Sequence, residues 1–135
     1  MNLDIAAEWA DRLETLPQAQ RGRHSLRSQR PGESIRYCAI GVLGDICVER
    51  DRTLAWIEHP TRSNPAITNW IIAPLVADPS PWQIEQLPPR VIKMCGIRAP
   101  RPGFNNGSLP ISTLNDEGLA FERIATLIRR YADQI

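Results

Sequence analysis

The sequence predicts an α+β fold: a buried central helix, flanking N- and C-terminal helices, and a small two- to three-stranded antiparallel sheet. Three observations predict it. An almost unbroken apolar stretch runs from Tyr37 to Val48. Both ends of the chain carry apolar residues at helical spacing. Between them lie two short tryptophan-bearing segments with β-branched neighbours. The 135 residues fit a single compact domain, 1–135.

The first helix is expected over Leu3 to Leu16, where Ile5, Trp9, Leu13 and Leu16 share a face and Pro17 ends the run. Asp4, Glu8 and Asp11 form an acidic stripe on another face, either solvated or a docking surface for a basic partner. Gln18 to Ser34 reads as a long loop with a Pro31-Gly32 turn. Ile35 to Glu49 is too long an apolar run for a strand and reads as a helix, apolar all round and therefore central. Gly41 and Gly44 each weaken such a helix by ~1 kcal/mol relative to alanine, which implies close approach of a neighbouring element.

Thr53 to Glu58 and Ile67 to Ile72 read as two strands joined across Pro60, Asn64 and Pro65, with Pro74 closing the second. Asp78 to Pro81 is a turn, and Ser80-Pro81-Trp82-Gln83 resembles a helix-capping box. A short helix from Pro88 to Cys95 stops at Gly96. Ile97 to Gly107 reads as irregular, Ser108 to Leu114 as a possible third strand, and Asn115 to Gly118 as a turn. Leu119 to Tyr131 closes the chain as a helix, with Phe121, Ile124, Ala125 and Ile128 on one stripe and Arg129 and Arg130 in its last turn.

Composition is that of an ordinary globular protein, 42% hydrophobic and 23% charged. A net charge of +1 argues against general nucleic-acid or membrane-surface binding but leaves room for a local patch. Lys93 is the sole lysine, so almost every cation is a guanidinium capable of forked contacts with carboxylate or phosphate. Three cysteines with no C-x-x-C pair suit neither a disulfide framework nor a structural zinc site, and no cofactor or metal is expected. No apolar run reaches the ~20 residues that span a bilayer, and the start lacks a signal-peptide pattern. The expectation is a cytoplasmic protein of a reducing compartment with no membrane partner.

Three segments carry a resemblance. They are Arg36-Tyr37-Cys38-Ala39-Ile40-Gly41-Val42-Leu43, then Leu87-Pro88-Pro89-Arg90-Val91 with Cys95-Gly96-Ile97, then Leu114-Asn115-Asp116-Glu117-Gly118 with Phe121-Glu122-Arg123-Ile124-Ala125. In this order they resemble a family of small uncharacterised phage, prophage and bacterial proteins. That family pairs a Y/F-C-C-L-G-V-L-C-D segment with an L-P-x-x-V helix and a terminal L-N-D-x-G-x-S-F-x-x-I-A helix. Trp9 and Gln20-Arg21-Gly22-Arg23 also look like that family's start. Ala39, Gly44 and Ala120 depart from its pattern. The resemblance implies a phage or mobile-element setting and no particular reaction.

Two constellations bear on function. Between Gln20 and Arg36 stand Arg21, Arg23, Arg27, Arg30 and Arg36 against one acid, Glu33, a local charge of +4 beside His24. Arg21, Arg23, His24, Arg27 and Arg30 are the candidate binding residues, for a host protein or nucleoprotein complex or for a phosphate-containing ligand. The other reading is a solvated loop whose arginines pair with the acidic first helix and Asp45. The second constellation is Cys38, near the start of the central helix where the dipole favours a thiolate, with Asp45 two turns on and His24 or His59 as imidazole. Cys–His–Asp would make a nucleophilic hydrolase or transferase; a buried inert cysteine is the other reading. The leading expectation is a phage- or prophage-derived binding protein rather than an enzyme. It would act on a host macromolecule, with inhibition of a bacterial defence system as one form. The carboxylates of Asn115-Asp116-Glu117-Gly118 lack the alternating oxygens of a calcium loop and read as a helix-entry turn.

Overall fold

The computed structural model describes residues 1–59, 66–75, 86–99, 101–105 and 107–135. Asn2 starts the first helix, α1 (Leu3–Thr15), by accepting the Asp4 and Ile5 N–H groups on its side-chain oxygen at 3.0 and 3.2 Å. This satisfies two of the donors that a helix start leaves open. The stripe Ile5, Ala6, Trp9, Ala10 and Leu13 is buried. It faces the central helix α2 (Ala39–Arg50) and the C-terminal helix α5 (Phe121–Tyr131). Arg129 of α5 reaches Asp11 and Glu14 of α1, at 2.6 and 2.5 Å, and clamps the two helices along their outer edge.

Central placement of α2 follows from its composition. Eight of its twelve residues, from Ala39 to Gly44 with Ile46 and Cys47, are buried. Trp9 donates its indole N–H to the Ala39 carbonyl at 2.8 Å, so the largest buried side chain of α1 is also pinned to the start of α2. Both glycines sit where neighbours come closest. A Cβ on Gly41 would lie 1.7 Å from the Leu26 carbonyl oxygen, and one on Gly44 would lie 2.3 Å from Ile72 Cδ1.

The α+β class holds, but the sheet is larger than the sequence suggests. It has four antiparallel strands in the order β2-β1-β4-β3, with β1 Arg27–Gln29, β2 Arg36–Tyr37, β3 Leu54–His59 and β4 Thr68–Pro74. The stretch read as a long loop, Gln18 to Ser34, thus holds a 3-10 turn at Gln18–Gln20 and a strand. Arg27-Ser28-Gln29 shows no apolar alternation; it is ordered by Leu26, 1% exposed beside it, and by pairing with both Tyr37 and Trp70. Because Arg36 and Tyr37 pair in β2, the central helix begins at Ala39 rather than Ile35.

The C-terminal half holds α3 (Pro89–Cys95), ended by Gly96 at φ 62°, and a two-stranded ribbon of β5 (Gly103–Phe104) and β6 (Leu109–Pro110). The expected third strand over Ser108 to Leu114 is strand only at its start. Ile111, Leu114 and Asn115 stand at i, i+3 and i+4, and that spacing folds as the short helix α4 (Ile111–Asp116). Asn115 and Asp116 therefore belong to α4, and the turn is Glu117-Gly118, with Gly118 at φ 98°. The last helix begins at Phe121 and runs into a 3-10 turn at Ala132–Gln134. The expected turn at Asp78–Pro81, the capping box with Trp82, and the Pro60–Pro65 connection lie outside the described residues. Among the described residues no helix is long and apolar enough to cross a membrane.

Candidate active site

Cys38 is the N-cap of α2. Its sulfur accepts the Gly41 N–H at 3.3 Å, in the position usually held by a serine or aspartate oxygen. The N–H of Ala39 goes to the Asn115 side-chain oxygen at 2.5 Å. Asn115, 2% exposed, also donates from its amide nitrogen to the Gly22 carbonyl at 3.0 Å. One buried amide therefore ties three segments together: the start of α2, the end of α4, and the chain just before His24.

His24 stands in the left-handed region, φ 65°, which costs a non-glycine residue ~1–3 kcal/mol. Asp116 offsets that strain. One carboxylate oxygen accepts the His24 backbone N–H at 2.9 Å, and the other lies 3.4 Å from the ring nitrogen Nδ1. The imidazole is thereby held at one nitrogen, and Nε2 is left for another partner. His24, Cys38 and Asp116 line one cleft of about 110 Å³ together with Ser25, Ile40, Arg101, Ser112 and Thr113. Cys38 is 6% exposed, whereas the His24 side chain is 75% exposed. The sulfur thus forms the inner wall and the imidazole the rim. Thiol, imidazole and carboxylate thus reach one cleft from three separate places in the chain.

The third member differs from the one the sequence suggested. Asp45 accepts the Trp56 indole N–H at 2.9 Å and lies 3.9 Å from Arg12, so it ties β3 and α1 to α2. Asp116 takes the orienting place. It is 92 positions from His24, and a carboxylate in an apparent turn carries no sequence signal for such a role. His59, the alternative imidazole, ends β3 and does not line the cleft.

Of the five candidate binding residues of the basic segment, Arg21 and Arg23 line one pocket with Gly22, Gly118 and Phe121, and His24 lines another. Arg21 pairs with Glu122 at 2.6 Å, donates from Nε to the Leu16 carbonyl at 3.0 Å, and lies over the Phe121 ring. The Glu122 carboxyl is held below the usual carboxylate range, first by its own backbone N–H and then by Arg21. Arg27 stacks on three rings, with Trp70 nearest at 4.7 Å, then Trp56 and Tyr37. Arg36 pairs with Glu33 at 2.9 Å. Arg23 packs against Gly118, Arg30 is exposed, and among the described residues neither makes an ion pair. The arginines that do pair use Glu33 and Glu122 rather than the acidic first helix. That helix is paired elsewhere, Glu8 with Arg12 and Arg50, and Asp11 with Arg129. His24 alone of the five belongs to the Cys38 cleft.

No protein-family model matches the chain, and no curated protein or solved structure matches it. Among the described residues no group of three or more histidine, cysteine, aspartate or glutamate side chains is arranged to hold a metal ion.

Proposed function

We propose that this chain is a cysteine-nucleophile enzyme, a hydrolase or transferase acting on an acyl-type carbonyl at the Cys38 cleft. The observation that carries the reading is the shared cleft of the Cys38 sulfur, the His24 imidazole and the Asp116 carboxylate. In this scheme His24 takes the thiol proton through Nε2 while Asp116 steadies the imidazolium at Nδ1. The thiolate, favoured by the amino end of α2, attacks the carbonyl carbon and forms a sulfur–carbon bond. The leaving group departs with the proton from His24. Water or an acceptor then attacks the thioester carbon, returns a proton to His24 and frees the sulfur. Arg101, Ser112 and Thr113 line the same volume and carry hydrogen-bond donor groups. The small cleft suits the reacting end of a substrate rather than its whole body.

The test is an acyl-trapping experiment. The folded protein is incubated with a panel of activated esters and thioesters and followed by intact mass and peptide mapping. An acyl adduct on Cys38 that forms in the native chain and is lost in Asp116→Asn supports the reading. Adducts on Cys38 only after unfolding would reject it.

A second reading keeps the expectation of a phage-derived binding protein that occupies a host macromolecule, including inhibition of a bacterial defence system. The exposure of Arg23 and Arg30, with no ion pair among the described residues, favours it. A host partner that survives replacement of Arg21, Arg23 and Arg30 by alanine counts against the basic segment as its contact.

A further inference from the structure

Cys47 and Cys95 are far apart in the chain and meet in the core. Cys47 lies in the last part of α2 and Cys95 is the final residue of α3; both are 0% exposed, and their sulfurs lie 3.2 Å apart. That is shorter than an ordinary contact between two thiols and within ~1.2 Å of a covalent S–S bond. The surroundings hold both helices in place. The Cys95 carbonyl accepts the Asn2 N–H at 2.8 Å, and Gly96 follows in the left-handed conformation that ends α3. Arg90, near the start of α3, pairs with Asp51 at the C-cap of α2, so the helices are bridged on the outside as well as through the sulfurs.

We propose that Cys47 and Cys95 are a reversible dithiol–disulfide pair that staples α2 to α3 when a low-molecular-weight disulfide such as oxidised glutathione is the oxidant. The exchange balances in two steps. One protein thiolate attacks the small disulfide, forms a mixed disulfide and expels one small thiolate. The second protein thiolate attacks the protein sulfur of that mixed bond and expels the other. Two electrons pass from the protein sulfurs to the oxidant, which leaves as two thiols carrying the two protein protons. Burial makes entry slow, because α3 must open locally before a small disulfide reaches either sulfur. The hydrogen bond between the two sulfurs, and then burial, push the Cys47 thiol up, while the same hydrogen bond holds the Cys95 thiol down, so Cys95 supplies the attacking thiolate once the opening admits the oxidant. The pair is separate from Cys38, the N-cap of α2 nine residues before Cys47, and does not depend on the role given to that residue.

The test uses the full native chain, incubated with oxidised glutathione, quenched with iodoacetamide and analysed by intact mass and peptide mapping. The expected product has lost two hydrogens, contains a Cys47–Cys95 cross-linked peptide, and reverts with dithiothreitol. Because the bond closes a loop of 48 positions, the oxidised form should melt higher by on the order of 10 °C. The variant Cys38→Ser should close the same bond; if it does not fold, mapping of the wild type decides alone. Three alkylated cysteines after oxidation, a glutathione adduct that never resolves, or a bond to Cys38 overturns the proposal. A closed bond that leaves Tm unchanged or lowers it overturns the stapling role.

Discussion

Gly41→Ala opposes two effects whose sizes the structure separates. Alanine is the better helix former by ~1 kcal/mol, so on propensity alone the variant gains stability. Space decides otherwise. The new Cβ would lie 1.7 Å from the Leu26 carbonyl oxygen and 2.6 Å from its carbon, both backbone atoms. The Leu26 oxygen also accepts the Cys38 N–H at 3.2 Å, and Leu26 itself is 1% exposed. To reach ordinary contact, the backbone at Leu26 must retreat by about 1.7 Å, which breaks that bond and loosens a core side chain. Overpacking of this kind costs ~1–3 kcal/mol and the lost hydrogen bond ~1 kcal/mol. With the ~1 kcal/mol gain in helix propensity subtracted, the net expectation is a destabilisation of about 1–3 kcal/mol, read as a lower urea midpoint at unchanged slope in tryptophan fluorescence. Gly44→Ala is the control. There the nearest obstacle is the tip of a flexible side chain, Ile72 Cδ1, and the loss should be nearer ~1 kcal/mol. If Gly41→Ala is as stable as the wild type, the close crossing of Leu26 over α2 is wrong.

Three further outcomes follow from named contacts. Asn115→Ala removes a buried amide that bonds both the Ala39 N–H and the Gly22 carbonyl, and should cost ~2–4 kcal/mol in the same urea assay; a loss under half of that range would mean these groups find other partners. Arg27→Ala uncovers Trp70 and Trp56, with an expected red shift of tryptophan emission and a loss of ~1–2 kcal/mol, whereas an unchanged spectrum contradicts the stacking. Acid should destabilise the fold. Asp51 is lowered to about 2 by Thr53 and then Arg90, and the Glu14 and Glu49 carboxyls are lowered by Arg129 and Arg12. Their folded values lie below their ordinary ones, so the stability they add is present above about pH 4 and is lost as pH falls toward about 2. Thermal melts across that window should fall, less steeply in Asp51→Ala, and the effect should shrink in salt because these pairs are exposed; a profile that Asp51→Ala leaves unchanged contradicts the assignment.

Much of the helical frame was legible in the sequence, because a helix that buries one stripe must repeat apolar residues at its own period. Ile5, Trp9 and Leu13 mark α1 in this way, and Phe121, Ile124 and Ile128 mark α5. The run from Ala39 to Cys47, apolar but for Asp45, likewise marks a helix buried over most of its surface. The strand β1 was not legible. Its order comes from Tyr37 on one side and Trp70 on the other, and pairing between distant segments leaves no pattern in three polar residues. The same limit hid the site. Cys38 and His24 stood out as residue types, but Asp116 joins them from the end of α4, 92 positions from His24. Cys47 and Cys95 carry no spacing motif because they meet across two helices.

The most direct measurement is the alkylation of the three cysteines in the folded chain by a small haloacetamide, resolved residue by residue and followed across pH. The proposed function predicts that Cys38 reacts in the native state and that its rate falls at all pH values in His24→Ala and Asp116→Asn, while the full burial of Cys47 and Cys95 predicts that they stay protected. Cys38 modified only when the chain unfolds, in step with the two core cysteines, would contradict the account.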